Sequence, residues 1–152
     1  MNTIPLFEGE KSWQLEKRPA IIFASGGAFR KCSPRGGDPI AINFLKSGFN
    51  VFTLYYALEE DATYMRLLKD ASMALWKVRE NAERWHIDPE KIAFGGFSAG
   101  GTVAAMLGTK WNSTDLGREM EMQYGINKLN ALILGYDPLV FDKKGKTLGR
   151  QT

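Results

Sequence analysis

Ser98 lies in the stretch GGFSAGG, residues 95–101, with a glycine two places to either side. Gly-x-Ser-x-Gly is the spacing of a serine set up to attack an acyl carbon. Such a serine needs a base to take its proton and donors for the oxyanion that forms. In a chain with 16 glycines the spacing alone is a cheap signal. Its setting says more: the apolar run KIAF precedes the motif and TVAAML follows it, so a strand closes and a helix opens at Ser98. In so sharp a turn, side chains at Gly96 and Gly100 would strike the adjoining strand and helix. The new helix aims its free amides and positive dipole end at the same spot, which makes the Ala99 amide a candidate oxyanion donor. The plain alternative is that Ser98 caps the helix, a common task for serine.

A second glycine site follows an earlier apolar run, in ASGGAF, Ala24 to Phe29. Paired glycines let backbone amides approach a substrate closely, and the amides of Gly27 and Ala28 are the candidates for further oxyanion donors. A tight turn accounts for the pair as well. Phosphate-binding readings of the glycines fail. Gly95 and Gly100 have P-loop separation, but Gly101 stands where the lysine is needed. Phe97 occupies the second glycine of a dinucleotide fingerprint begun at Gly95.

The elements that must hold these residues alternate in type. AIIFAS, Ala20 to Ser25, is a continuous apolar run, as in a strand buried on both faces. In DPIAINFLKSGF, Ile40, Phe44 and Leu45 fall toward one helical face, with Pro39 in the first turn and Gly48 at the C-terminal cap. NVFTLYYA, Asn50 to Ala57, reads as a second strand. A long helix is expected from about Asp61 to Trp85, with Leu68, Ala71, Leu75, Val78, Ala82 and Trp85 as its buried stripe. KIAFGGF is a third strand, SAGGTVAAMLGTK a third helix, and NALILGY, Asn130 to Tyr136, a fourth strand. Strands joined through helices run parallel, so the expected fold class is α/β: a three-layer, mostly parallel sheet flanked by helices. An α+β domain with an antiparallel edge is the runner-up.

Composition sets outer bounds. With 152 residues, 44% hydrophobic and 24% charged, the chain suits one globular domain. Its net charge of +3 owes much to the tail DKKGKTLGRQT, which reads as solvated. A basic stripe with interleaved aromatics is lacking, so no nucleic-acid partner is expected. The single cysteine, Cys32, forms no internal disulfide and belongs to no zinc-type Cys/His cluster, so no metal is expected. With neither an apolar leader nor a membrane-length apolar run, no membrane partner is expected and a cytoplasmic location is the default.

On RPAIIFASGGAF, SPRGGDPIAINFLKSGFNVFTLYYAL, IDPEKIAFGGFSAGG and GTKWN…NALILGYDPLV, the chain resembles the α/β-hydrolase superfamily, and most closely its esterase/lipase branch of acetyl-xylan-esterase-like proteins. The resemblance runs from about Arg18 to Phe141. It implies a partial α/β-hydrolase fold, Ser98 as nucleophile of a Ser-Asp/Glu-His triad, and hydrolysis of small acyl esters, often acetyl groups on carbohydrates. It implies no cofactor. The loop that reads Pro-Gly-Gly-Gly-Tyr in that branch reads Ser25-Gly26-Gly27-Ala28-Phe29 here; Ala28 keeps the amide and adds a methyl group.

The chain also departs from the family. No histidine follows Ser98. The one histidine, His86, precedes the strand KIAFGGF and is expected about 20 Å from Ser98, too far for a general base. Asp137, just past the fourth strand, is a candidate acid at a position some α/β-hydrolases use, although a turn before Pro138 accounts for it more simply. Family domains carry about eight strands against the four read here, and the last would become an apolar edge. The expectation is therefore a single, truncated α/β-hydrolase domain over residues 1–152, an N-terminal fragment that acts on a small-molecule ester only if a histidine comes from elsewhere. The last strand would serve self-association or a complementary C-terminal fragment. The alternative is a non-catalytic remnant or interaction module.

Overall fold

A computed structural model describes residues 16–136, except the side chains of residues 35–37. Four strands form one sheet: β1 (Arg18–Ala24), β2 (Asn50–Leu54), β3 (Ile87–Phe97) and β4 (Ala131–Gly135). Their order is β2-β1-β3-β4 and every pairing is parallel, which excludes the antiparallel-edge alternative for these strands. The helices are α1 (Pro34–Lys46), α2 (Tyr64–Glu80), α3 (Ala99–Lys110) and α4 (Thr114–Met120), with a single 3₁₀ turn at Glu59–Asp61.

Alternation along the central strands divides the core. Ala20, Ile22, Ala24, Ile92 and Phe94 join one buried cluster with Leu68, Ala71 and Leu75 of α2 and Val103 and Leu107 of α3. Ile21 and Phe23, also buried, point to the other face. There α1 packs on β1 and β2, and none of its apolar side chains joins the α2–α3 cluster. Helix, sheet and helix thus make three layers.

Several boundaries differ from the sequence expectation. Helix α1 starts at Pro34, after Ser33, so Pro39 lies inside the helix rather than in its first turn. Ile40 and Phe44 are half-buried, but Leu45 is exposed: five residues from Ile40, it stands about 140° around the helix. Phe44 instead meets Phe49, with ring centroids 5.3 Å apart. The predicted helix from Asp61 to Trp85 is shorter at both ends. Thr63 caps it by accepting from the Arg66 amide, and at Asn81 the side-chain amide donates back to the Lys77 carbonyl, after which the chain turns. Trp85 leaves the buried stripe and packs on Phe52 at 5.3 Å. Helix α4 is an addition; Ser113 caps it through the Leu116 amide, and Leu116 is its fully buried anchor.

The amino ends of β3 and β4 are tied by one side chain. Arg79, at the end of α2, donates to the carbonyls of Ile126, Lys128 and Pro89 and to Asn130 Oδ1. Asn130 in turn accepts from the Ile92 amide and donates its own amide to the Ile92 carbonyl. Burial lowers the Arg79 pKa, partly opposed by the Glu90 carboxylate.

Candidate active site

Ser98 occupies the one-residue gap between β3 and α3. Its backbone is at φ 54°, ψ −128°, a region that a non-glycine residue enters only under strain. Although it stands at the cap position of α3, its side chain caps nothing. A capping serine normally has extended backbone and an engaged oxygen, so the geometry favours a turn that presents the hydroxyl over one that spends it on the helix. The backbone is held from both sides: the Ser98 amide donates to the Gly135 carbonyl at 3.0 Å, and the Ser98 carbonyl accepts from the Thr102 amide at 3.1 Å.

The flanking glycines are required by contact. A Cβ on Gly96 would sit 2.2 Å from the Gly100 carbonyl oxygen, and one on Gly100 would sit 2.0 Å from that of Ala24. The first turn of α3 is therefore pressed against the end of β1. Phe97, between Gly96 and Ser98, fills the space towards β4, with its ring 5.4 Å from those of Phe23 and Tyr136.

The loop after β1 meets this turn. Ala24 pairs in register with Gly96, and a Cβ on Gly26 would lie 3.2 Å from Ser98 Cβ. Gly27, Ala28 and Phe29 all have positive φ, at 147°, 55° and 58°. At Gly27 only glycine fits, since a Cβ there would be 1.8 Å from the Lys31 carbonyl oxygen. The loop's own hydrogen bonds use the carbonyls of Gly26 and Gly27 and the amides of Arg30, Lys31 and Ser33; the amides of Gly27 and Ala28 take no part in them. Ala99, first residue of α3, has an amide without an intrahelical acceptor. The structure thus brings Ser98, Gly96, Gly100, Ala99 and the Gly27–Ala28 loop to one end of adjacent strands.

Other candidates lie apart. His86 is exposed at the far end of β3, where its carbonyl accepts from the Arg18 amide at 2.8 Å. Since Ile87 to Gly96 runs alongside Arg18 to Ala24, His86 is more than about 20 Å from Ser98, beyond reach of its proton. Asp137 lies outside the described residues. Among the described residues, no group of three His, Cys, Asp or Glu side chains could hold a metal ion, and no helix is long and apolar enough to cross a membrane.

Sequence reasoning missed a second tier. Tyr56, buried just past β2, donates its phenol to the Ser25 carbonyl at 2.6 Å. Burial, with a smaller contribution from Cys32, pushes its pKa up, so it stays a donor at neutral pH. Asp70 of α2 accepts from the Ala57 amide at 2.9 Å and pairs with Arg66. The signal for Tyr56 was the strand period: of Tyr55 and Tyr56, alternation turns one outward and one inward.

Known proteins resemble this chain in sequence and fold. The BD-FAE family model matches residues 10–146. MGS-M1, an α/β-hydrolase enzyme from a Medee basin deep-sea metagenome library, superimposes with TM-score 0.71 and 37% identity over 88% of this chain and 49% of its own. The carboxylesterase Cest-2923 from Lactobacillus plantarum gives TM-score 0.73 and 27% identity over 84% and 47%. Endo-1,4-beta-xylanase B of Butyrivibrio fibrisolvens is 32% identical over 94 residues, which are 60% of this chain and 15% of that protein. The chain spans about half the length of these solved structures. The sheet, with helices on both faces, is part of an α/β-hydrolase fold, and the chain belongs to the BD-FAE family.

Proposed function

We propose, from that membership, that the chain carries the nucleophile and oxyanion donors of a serine ester hydrolase for small acyl esters. The observation that supports it most is the strained Ser98, whose side chain makes no cap, beside a loop whose Gly27 and Ala28 amides take no part in its backbone hydrogen bonds among the described residues. In this reading Ser98 Oγ attacks the ester carbonyl carbon while a base takes its proton. The carbonyl oxygen becomes an oxyanion, bound by the amides of Gly27, Ala28 and Ala99. The intermediate collapses as the base returns that proton to the leaving oxygen, so the alcohol departs and an acyl-serine remains, which water then hydrolyses to the free acid and the Ser98 hydroxyl. Acetyl esters on carbohydrate are the favoured substrates: the acetyl ester follows from the acetyl-xylan-esterase-like resemblance, and the carbohydrate is in keeping with a matching stretch in a protein named as a xylanase.

The base is supplied by a histidine other than His86, from a second chain or from further sequence, and the acid by Asp137 or a residue beyond it. The partner surface is the edge of β4. There Leu132 and Leu134 are each about 40% exposed in a strand whose sequence reads as central, and a groove of about 220 Å³ lies between Leu132, Gly108 and Trp111. A strand from a second copy or from a complementary C-terminal segment would cover it. That edge, unpaired among the described residues, and the remoteness of His86 favour a second reading, in which the chain is a non-catalytic remnant or interaction module.

Hydrolysis of a small activated acetate ester separates the two. With imidazole added as the missing base, the chain should exceed the imidazole background, and Ser98→Ala should not. Equal rates for both proteins would remove the catalytic reading of this chain.

A further inference from the structure

The glycine loop holds three consecutive positive-φ residues, and two of them, Ala28 and Phe29, are not glycine. Each costs on the order of 1 kcal/mol or more and persists only where its surroundings over-determine it. Two contacts from one segment supply that constraint. Tyr56 Oη donates to the Ser25 carbonyl at 2.6 Å, immediately before the loop. The Glu59 amide donates to the Phe29 carbonyl at 2.6 Å, at its far side. The Tyr56 and Phe29 rings meet edge to face at 6.2 Å. The segment is itself anchored, through the Ala57 amide, to Asp70 on α2. Ser25 cannot hold the loop by its own hydroxyl, because Oγ is buried with no partner among the described residues.

We propose that Tyr56 is a positioning residue: its phenol fixes the Ser25 carbonyl and so keeps the Gly27 and Ala28 amides beside Ser98. The inference deepens the ester-hydrolase reading and rests on it for its kinetic consequence, but the loop geometry can be measured without catalysis. Tyr56→Phe removes the hydroxyl and keeps the ring against Phe29. Asp70→Asn is the second variant; it weakens the anchor from outside the core and serves if Tyr56→Phe fails to fold.

Amide hydrogen exchange by NMR is read at Arg30 and Ser33, whose amides bond to the Gly27 and Gly26 carbonyls. Tyr56→Phe should speed exchange there by about three- to tenfold, the worth of one hydrogen bond, with Leu75 and Phe94 unchanged; Asp70→Asn should do the same to a smaller degree. In imidazole-supported ester hydrolysis, kcat should fall by about the same factor with KM unchanged. Unaltered exchange at Arg30 and Ser33, or acceleration equal to that at Leu75 and Phe94, would overturn the proposal. Faster loop exchange in a protein whose hydrolysis ignores Ser98→Ala would uphold the positioning role and reject the ester-hydrolase reading.

Discussion

At the amino ends of β3 and β4, one guanidinium reaches four acceptors, and an asparagine closes the gap between the strands. At the carboxyl ends of β1 and β3, side chains have withdrawn: Gly26, Gly27, Gly96 and Gly100 bring backbone against backbone, and Ser98, Ala28 and Phe29 sit at positive φ. The first end satisfies its polar groups within the protein. At the second, among the described residues, the amides of Gly27 and Ala28 take no part in the loop's backbone hydrogen bonds, the Ala99 amide lacks an intrahelical acceptor, and the Ser98 side chain makes no cap. Strain and donors of this kind at one end of the sheet are what the proposed oxyanion site would require, whereas the hydrogen bonds at the other end tie strands together.

The difference can be broken by substitution. Gly100→Ala drives a methyl to within 2.0 Å of the Ala24 carbonyl, and a loss of about 3 kcal/mol or more is expected in urea unfolding. A loss below about 1 kcal/mol would mean that the turn and β1 are not locked together. Arg79→Met at the opposite end should cost about 1 to 2 kcal/mol, through the loss of several hydrogen bonds to part-buried and exposed acceptors, with the Ser98 reaction retained in whatever fraction folds. Ser98→Gly should act the other way: relieving φ 54° is expected to stabilise by about 1 kcal/mol while abolishing acyl transfer. The smallest effect is on pH dependence. Since the folded Tyr56 pKa is raised, its contribution is complete below the ordinary phenol value of about 10 and is lost as pH rises through the folded value. Tyr56→Phe should therefore lose less stability than the parent between neutral pH and about pH 11, as read from urea midpoints.

The strand–turn–helix that carries Ser98 was legible because apolar runs and glycine spacing are local signals. Gly96 and Gly100 are glycine for the contact reason that the motif implies. The ends of α2 were less legible: the stripe continues to Trp85, but Thr63 and Asn81 set the ends through caps that compete weakly in sequence. Helix α4 rests on one buried leucine, too short for its period to show. Tyr56 escaped notice because its bond to Ser25 spans 31 residues and depends on β2 lying beside β1, an order that periodicity does not reveal. The apolar edge expected of the last strand is found at β4, where Leu132 and Leu134 are partly exposed although their pattern suits a central strand, because strand sequence reports the surroundings it suits.

The central claim is that Ser98, rather than any other nucleophile, accepts the acyl group. Peptide mapping by mass spectrometry after brief exposure to an activated acetate ester with imidazole tests it directly. The account predicts acetylation concentrated on the peptide containing Ser98, absent in Ser98→Ala and reduced in Tyr56→Phe. Acetylation spread over lysines, with none at Ser98, would contradict it.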